Sequence, residues 1–185
     1  MYQTLLLGIA FFVSDYTGAE VFSAPFLSLP EVNKEQSIVK VSDKEEVLWL
    51  ARIIFSETKF ADEMRLVGWV VRNRVEAEYR GTTYKEVARS PYQFSGLNPS
   101  DAQYTINVAL GYKIENESWQ KALVIAKEIY FAEESKRPFA KNILHFYSPV
   151  SASGTPTWVN SGTLDYVVRD TKSNTPRFAF YSGVQ

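Results

Sequence analysis

The chain has 185 residues, with 20 Lys and Arg against 21 Asp and Glu, one His and no Cys. This length suits a single folded domain, and 45% hydrophobic residues are enough for a packed core. The near-neutral charge offers no basic surface to a phosphate backbone, so we expect no nucleic-acid partner. Without Cys, and with one His, the chain lacks the usual ligands of zinc and iron–sulfur sites. Glycine-rich nucleotide loops and the G-x-S-x-G motif of serine hydrolases are also missing. From these absences together we expect no metal and no cofactor. Catalysis by carboxylates, or binding without catalysis, remains.

The first residues have the pattern of an export signal. Residues 5–13 read LLLGIAFFV, an apolar run too short to span a bilayer but suited to the hydrophobic region of a signal peptide. Thr17 and Ala19 are small residues placed for cleavage after Ala19, which predicts a signal peptide over 1–19. Because no Lys or Arg precedes the run, an uncleaved anchor or a buried segment stays open. We expect export to the periplasm, cell envelope or extracellular space, with no stable membrane span.

The folded part begins after a Pro-containing stretch. Residues 20–41 show no helical period and predict a linker or a loosely docked arm, followed by one domain over 42–185. The S-x-x-E sequence starting at Ser42 is a capping box, which predicts a helix over 43–59.

The end of this first helix carries a candidate catalytic residue. Leu50, Ile53 and Ile54 precede Glu57 by seven, four and three residues, so the glutamate shares their buried stripe. A carboxyl buried there must be paired, hydrogen-bonded or protonated through a raised pKa, and the protonated state is what a general acid needs. The alternative is an ordinary solvated or ion-paired glutamate that frays outward from the last turn.

The remaining elements predict a mainly helical α+β fold with a small antiparallel sheet near the carboxyl end. The predicted helices cover 62–79, 84–89 after a cap at Thr83, 101–110 after a cap at Ser100, and a span from 116 or 118 to 134. The predicted strands cover 143–147, 166–169 and 178–181. In the second helix, Asn73 interrupts an apolar surface and is interpreted as a structural amide with satisfied hydrogen bonds.

A loop between the third and fourth helices mixes residue types that sugar sites use. Residues 92–99 read YQFSGLNP, in which rings suit the apolar face of a sugar and polar groups suit its hydroxyls. Gln93, Phe94 and Ser95 are therefore candidate binding residues. Such residues also pack cores and fix loops, and that interpretation stays open.

Taken in order, six segments resemble a known family. They are ARIIFSET ending at Thr58, VGWVVRNRV over 67–75, YQFSGLNP, LHFYSP over 144–149, PTWV over 156–159 and FAFYSGV over 178–184. This order resembles the SleB-type cell-wall hydrolases, which include spore-cortex-lytic enzymes. The resemblance implies a catalytic domain over 42–185 with a lysozyme-like or lytic-transglycosylase-like fold that cleaves the glycan strands of peptidoglycan. It also implies that Glu57 is the catalytic acid.

The chain departs from that pattern in two places. Ser56 stands where the family often has Gly, and residues 58–61 make a shorter connection that lacks Gly. The His expected just before the closing F-Y is replaced by Arg177 and Phe178.

The mechanism depends on how many carboxylates take part. The resemblance implies a lytic transglycosylase, in which one glutamate acts as acid and then as base while the C6 hydroxyl of muramic acid attacks, and this is the favoured function. A muramidase or glucosaminidase needs a second carboxylate. The candidates for it are Asp62, Glu63, Asp101, Asp165 and Asp170. An inactive peptidoglycan-binding module also stays open, whereas an amidase is disfavoured by the absence of zinc ligands and Cys.

Four further candidates lie in the carboxyl-terminal half. His145 either binds a sugar or acetamido group at the cleft or is a core histidine tied to the backbone. Tyr147 is a candidate cleft donor that could equally fix a loop. Trp158 and Tyr166 are candidate stacking platforms, although such rings more often pack. The sequence gives no prediction of oligomeric state.

Overall fold

The computed structural model describes residues 41–184. The predicted signal peptide over 1–19 and the predicted linker or arm, apart from Val41, lie outside the described residues. The helices are α1 (Val41–Glu57), α2 (Ala61–Glu76), α3 (Tyr84–Arg89), α4 (Tyr104–Ala109) and α5 (Glu117–Phe131). The strands are β1 (Ile143–Tyr147), β2 (Thr163–Arg169) and β3 (Pro176–Ser182). The mainly helical α+β prediction is confirmed.

The helical core forms around two long helices. In α1, Leu50, Ile53 and Ile54 are fully buried, which confirms the apolar stripe predicted from their spacing. Helix α1 packs against α2, α3 and α5, and α2 also contacts α5 and β1. Trp119 of α5 is fully buried and its indole N–H donates to the Gly111 carbonyl at 2.9 Å. The helix that ends at Glu57 is therefore held on three sides.

The sheet is antiparallel, with β3 in the centre and the order β1-β3-β2. Asn73 of α2 joins this sheet to the helices, because its Nδ2 donates to the carbonyls of Ala140 at 3.1 Å and Ile143 at 3.0 Å. Asn73 is thus a structural amide, as interpreted from the sequence, and it fixes the start of β1 against the second helix.

Of the two helix caps predicted near the middle of the chain, one is present in the structure and one is not. Thr83 caps α3 as predicted, its hydroxyl accepting from the Glu86 N–H at 3.1 Å. The cap predicted at Ser100 is wrong, since α4 begins only at Tyr104. Asp101 explains the difference, because its carboxylate accepts from the Gln103 N–H at 2.8 Å and closes a local turn that competes with the helix.

The outer bounds of the elements differ by a few residues from prediction. Helix α1 begins at Val41, so Ser42 lies in its first turn. Helix α5 begins after a cap at Asn116, whose side chain accepts from the Trp119 N–H at 2.9 Å, and ends at Phe131. Strand β1 has the predicted bounds, whereas β2 and β3 begin three and two residues earlier. Within residues 41–184, no helix is both long and apolar enough to cross a membrane.

Candidate active site

Glu57 lies at the carboxyl end of α1 and lines a cleft of about 430 Å³ where the helices meet the sheet. The other residues that line it come from α2, the 92–98 loop, β1 with its following turn, and β3. They are Arg74, Tyr92, Gln93, Ser95, Asn98, Phe146, Tyr147, Ser148, Ser151 and Phe178. Three predicted binding residues, Gln93, Ser95 and Tyr147, therefore lie in one cleft with Glu57.

The environment of the Glu57 carboxyl favours its protonated form. Within the described residues, its oxygens accept no hydrogen bond from a side chain and form no ion pair. Burial raises its pKa from 4.5 to about 7, against the opposing charges of Arg74 and Lys59. A carboxyl in this range is partly protonated at neutral pH and faces a cleft, which is the condition for general-acid catalysis.

Gly96 brings the 92–98 loop against the end of α1. A Cβ on this residue would lie 3.3 Å from the Ser56 Cβ and 2.8 Å from Asn107 Nδ2. That amide donates to the Gly96 carbonyl at 2.8 Å and so ties the loop to α4. The glycine lets the backbone approach closely, and Ser95 lies beside the cleft as a result.

Arg74 is a site residue that the sequence reasoning missed. It is 4% exposed on α2, and its Nε donates to the Leu144 carbonyl at 2.7 Å while Nη1 donates to Gln93 Oε1 at 3.3 Å. These bonds hold β1 and the 92–98 loop to the second helix. The signal in the sequence that could have identified Arg74 is its position in the N-R-V segment, where a charged side chain follows a run of apolar residues on the second helix.

A second cavity of about 420 Å³ adjoins the first. The two share four lining residues, which are Arg74, Tyr92, Gln93 and Phe146. The second one is also lined by Tyr79, Arg80, His145, Trp158 and Val184. We call the first the Glu57 cleft and the second the arginine lobe. His145 and Trp158, both predicted as binding residues, thus lie next to the Glu57 cleft.

His145 is neutral at physiological pH. Burial, and then the charges of Arg74 and Arg80, lower its pKa to about 4. Its Nε2 lies 3.0 Å from the Tyr79 hydroxyl, and its ring centre lies 5.3 Å from that of Trp158. The histidine therefore borders a cavity, and among the described residues its ring is held by a side chain and not by the backbone.

Tyr92 stands at the rim that the two cavities share. Its side chain is 94% exposed, and its backbone adopts a left-handed conformation with φ 61°. A bulky residue in that region of φ is uncommon and costs energy, which is typical of functional positions. The exposed ring at a cleft rim is a candidate sugar-stacking surface.

Two predicted binding residues lie away from this cleft. Phe94 is 1% exposed in the core, where its ring lies 5.4 Å from the Arg74 guanidinium carbon. Tyr166 of β2 lines a different cavity, together with Asp62 and Trp69. The aromatic 92–99 loop is therefore divided: Gln93 and Ser95 face the cleft while Phe94 anchors the loop.

The candidate second carboxylates also lie elsewhere. Glu63 is buried and paired with Arg177, and Asp62 lines the cavity beside Trp69. Asp101 and Asp170 each close a local turn, and Asp165 lies exposed on β2. Among the described residues that line the Glu57 cleft, Glu57 is the only carboxylate. The described part of the chain also contains no cluster of three His, Asp or Glu side chains placed to hold a metal ion.

Comparison with protein families identifies the class. A family model described as Cell Wall Hydrolase matches residues 60–173. The match covers more than half of the chain, and the chain belongs to this SleB-type family of cell-wall hydrolases. Its substrate is accordingly peptidoglycan. The match begins after Glu57 and ends before β3, so it does not include the candidate acid. No curated protein and no solved structure matches the chain.

Proposed function

We propose that this protein cleaves the glycan strands of peptidoglycan as a lytic transglycosylase, with Glu57 as its one acid/base. The observation that carries the proposal is a lone carboxylate with a raised pKa in the Glu57 cleft. A hydrolase of the usual kind needs a second carboxylate across the scissile bond. The five candidates for that role lie outside the lining, whereas the transglycosylase reaction needs only one acid.

The proposed reaction has two proton transfers at the same group. Protonated Glu57 gives its proton to the glycosidic oxygen as the bond from that oxygen to C1 of muramic acid breaks. The resulting carboxylate then takes the proton from the C6 hydroxyl of the same sugar as its oxygen bonds to C1. The product is a 1,6-anhydro sugar, and Glu57 is again protonated. No water is consumed.

The raised pKa of Glu57 suits both halves of this cycle. A group with a pKa of about 7 is a usable acid and a usable base at neutral pH, because both protonation states are accessible. His145, with its pKa lowered to about 4, would be a poor proton donor in the same range. Ser95, Tyr147 and Gln93 can donate to sugar hydroxyls or acetamido groups while Glu57 acts.

The mass of the product tests the mechanism. Sacculi digested with the full chain should yield anhydro-muropeptides, each lighter by one water than the corresponding reducing-end product. Digestion in ¹⁸O-labelled water should leave the new sugar ends unlabelled. Labelled reducing ends would instead show that water attacks, which would replace the transglycosylase by a hydrolase and require a second group to activate that water.

An exported location follows from the same substrate. Peptidoglycan lies outside the cytoplasmic membrane, so we propose that the chain is exported, in keeping with the signal-like run at residues 5–13. Fractionation of the producing cells, followed by amino-terminal sequencing of the recovered protein, tests this. Recovery from the cytoplasm alone would contradict it.

A further inference from the structure

The arginine lobe has an unusual charge for a sugar site. Among the described residues that line it, two are arginines and none is an acid. Neutral sugars need hydroxyl, amide and ring contacts, and the amide of Gln93 and the ring of Trp158 already offer two of these. Two guanidinium groups in one small cavity indicate a ligand with negative charge.

Arg74 is buried with part of its hydrogen-bonding capacity unused. Its Nε and Nη1 donate to Leu144 and Gln93, but within the described residues Nη2 donates to nothing. The aromatic rings of Phe94 and Phe146 lie 5.4 and 5.7 Å from its guanidinium carbon. A buried cation is costly unless it is compensated, and this residue lines both cavities, so an anion bound there would gain a charge-assisted bond.

Arg80 supplies the second charge from the exposed side of the lobe. It follows α2 in a left-handed backbone conformation with φ 67°, and its guanidinium carbon lies 5.2 Å from the Tyr79 ring centre. The Tyr79 hydroxyl is in turn engaged with His145. Both arginines lower the pKa of His145, which stays neutral. None of the described residues that line the lobe carries a negative charge, and the carboxyl that interacts with Arg74 is Glu57 in the adjoining cleft.

We propose that the arginine lobe binds a carboxylate of the peptidoglycan strand next to the bond cleaved at Glu57. This rests on the proposed function, since the shared lining residues would let one strand cross both cavities. Peptidoglycan contains two kinds of carboxylate that could bind there. One is the lactyl group of muramic acid where its peptide has been removed, and the other is the acidic residues of the stem peptide.

Binding to three matched oligosaccharides tests the proposal in the full chain with Glu57→Gln, so that cleavage is slow compared with the binding measurement. The ligands are muramic-acid oligomers stripped of peptide, the same oligomers with stem peptides, and N-acetylglucosamine oligomers of equal length, which lack carboxylates. Arg80→Gln removes the exposed charge without disturbing the core. Arg80→Lys retains the charge, and Arg89→Gln removes an exposed arginine at the end of α3, away from both cavities.

Arg80→Gln should weaken binding of at least one carboxylate-bearing ligand about tenfold, the scale of one lost charge-assisted hydrogen bond. Arg80→Lys should recover most of that affinity, and Arg89→Gln should change nothing. The neutral oligomer should bind all variants alike. A loss confined to stripped oligomers would identify the lactyl carboxylate, and one confined to stem-bearing oligomers would identify the peptide.

Two results would overturn the proposal. One is an Arg80→Gln variant that binds all three ligands as the parent does, and the other is an equal loss for charged and neutral ligands. Digestion of sacculi by the protein with Glu57 intact distinguishes a failure of the lobe assignment from a failure of the proposed catalytic function. Cleavage without carboxylate selectivity removes the lobe assignment alone, whereas selective binding without any cleavage removes the catalytic proposal alone.

Discussion

Arg177 of β3 forms an ion pair with Glu63 of α2, and this contact joins the two places where the chain departs from its family pattern. The second oxygen of Glu63 accepts from the hydroxyl of Thr58, directly after Glu57. The Arg177 guanidinium carbon also lies 3.9 Å from the ring centre of Phe60. Arg177, which stands where a histidine is expected, thus holds in place the short connection over residues 58–61 that follows Glu57.

Arg177→Ala should lower the free energy of unfolding by about 2–4 kcal/mol, because it leaves the almost fully buried Glu63 carboxylate without its cation. Chemical denaturation of the variant and the parent measures this. Arg89→Ala, which removes an exposed arginine, is the control and should cost about 0.5 kcal/mol or less. An Arg177→Ala variant as stable as that control would show that the ion pair does not hold the connection.

The rate of glycan cleavage should fall as the pH rises through about 7. Glu57 must be protonated to begin the reaction, and burial raises its pKa to about 7. The pKa of His145 is about 4, so its titration should cause no further change in rate between pH 5 and 8. Initial rates of muropeptide release between pH 4 and 8, measured where the rate is proportional to substrate concentration, give this pH dependence. A decline centred near pH 4.5 would mean that the carboxyl is not perturbed.

Glu57→Gln should stabilise the protein, and the gain should grow between pH 4.5 and 7. In this interval the unfolded chain has lost the proton while the folded chain retains it, so the stability of the parent falls as the pH rises. The amide has no charge to bury, and the expected gain reaches up to about 3 kcal/mol above pH 7. Thermal unfolding at pH 4.5 and pH 8 measures it. An equal effect at both values would contradict the assigned pKa.

Gly96→Ala should lower both activity and stability. The added Cβ would lie 2.8 Å from Asn107 Nδ2, so this amide must shift, and the hydrogen bond that ties the loop carrying Gln93 and Ser95 to α4 is disturbed. We expect a loss of about tenfold or more in rate and about 1–3 kcal/mol in stability. Gly111→Ala is the matched control, since its Cβ would meet nothing within 4 Å. Equal activity of the two variants would show that loop position is unimportant.

The sequence predicted the elements whose signals are local. Periodicity located Glu57 on a buried stripe, the hydroxyl of Thr83 marked the start of α3, and the β-rich run 143–147 gave β1 its bounds. The cap at Ser100 failed for an equally local reason, because Asp101 offers a competing turn that the helical pattern does not reveal.

The site was only partly predictable, since its residues meet through the tertiary fold. Residue type identifies rings and carboxylates but not the direction they face. Phe94 and Ser95 are neighbours, yet one lies in the core and the other at the cleft. The role of Arg74 could not be predicted, because it depends on contacts with Gln93 and Leu144. These residues are distant in the sequence, and residue spacing does not indicate such contacts.

Release of soluble muropeptides from purified sacculi tests the catalytic role of Glu57 most directly. The full chain should release them, and Glu45→Gln, an exposed glutamate on the same helix, should do so at the same rate. Glu57→Gln should be slower by at least about 100-fold while it stays folded, which is the scale of a lost general acid. A folded Glu57→Gln variant that releases muropeptides at the rate of the parent would contradict the assignment.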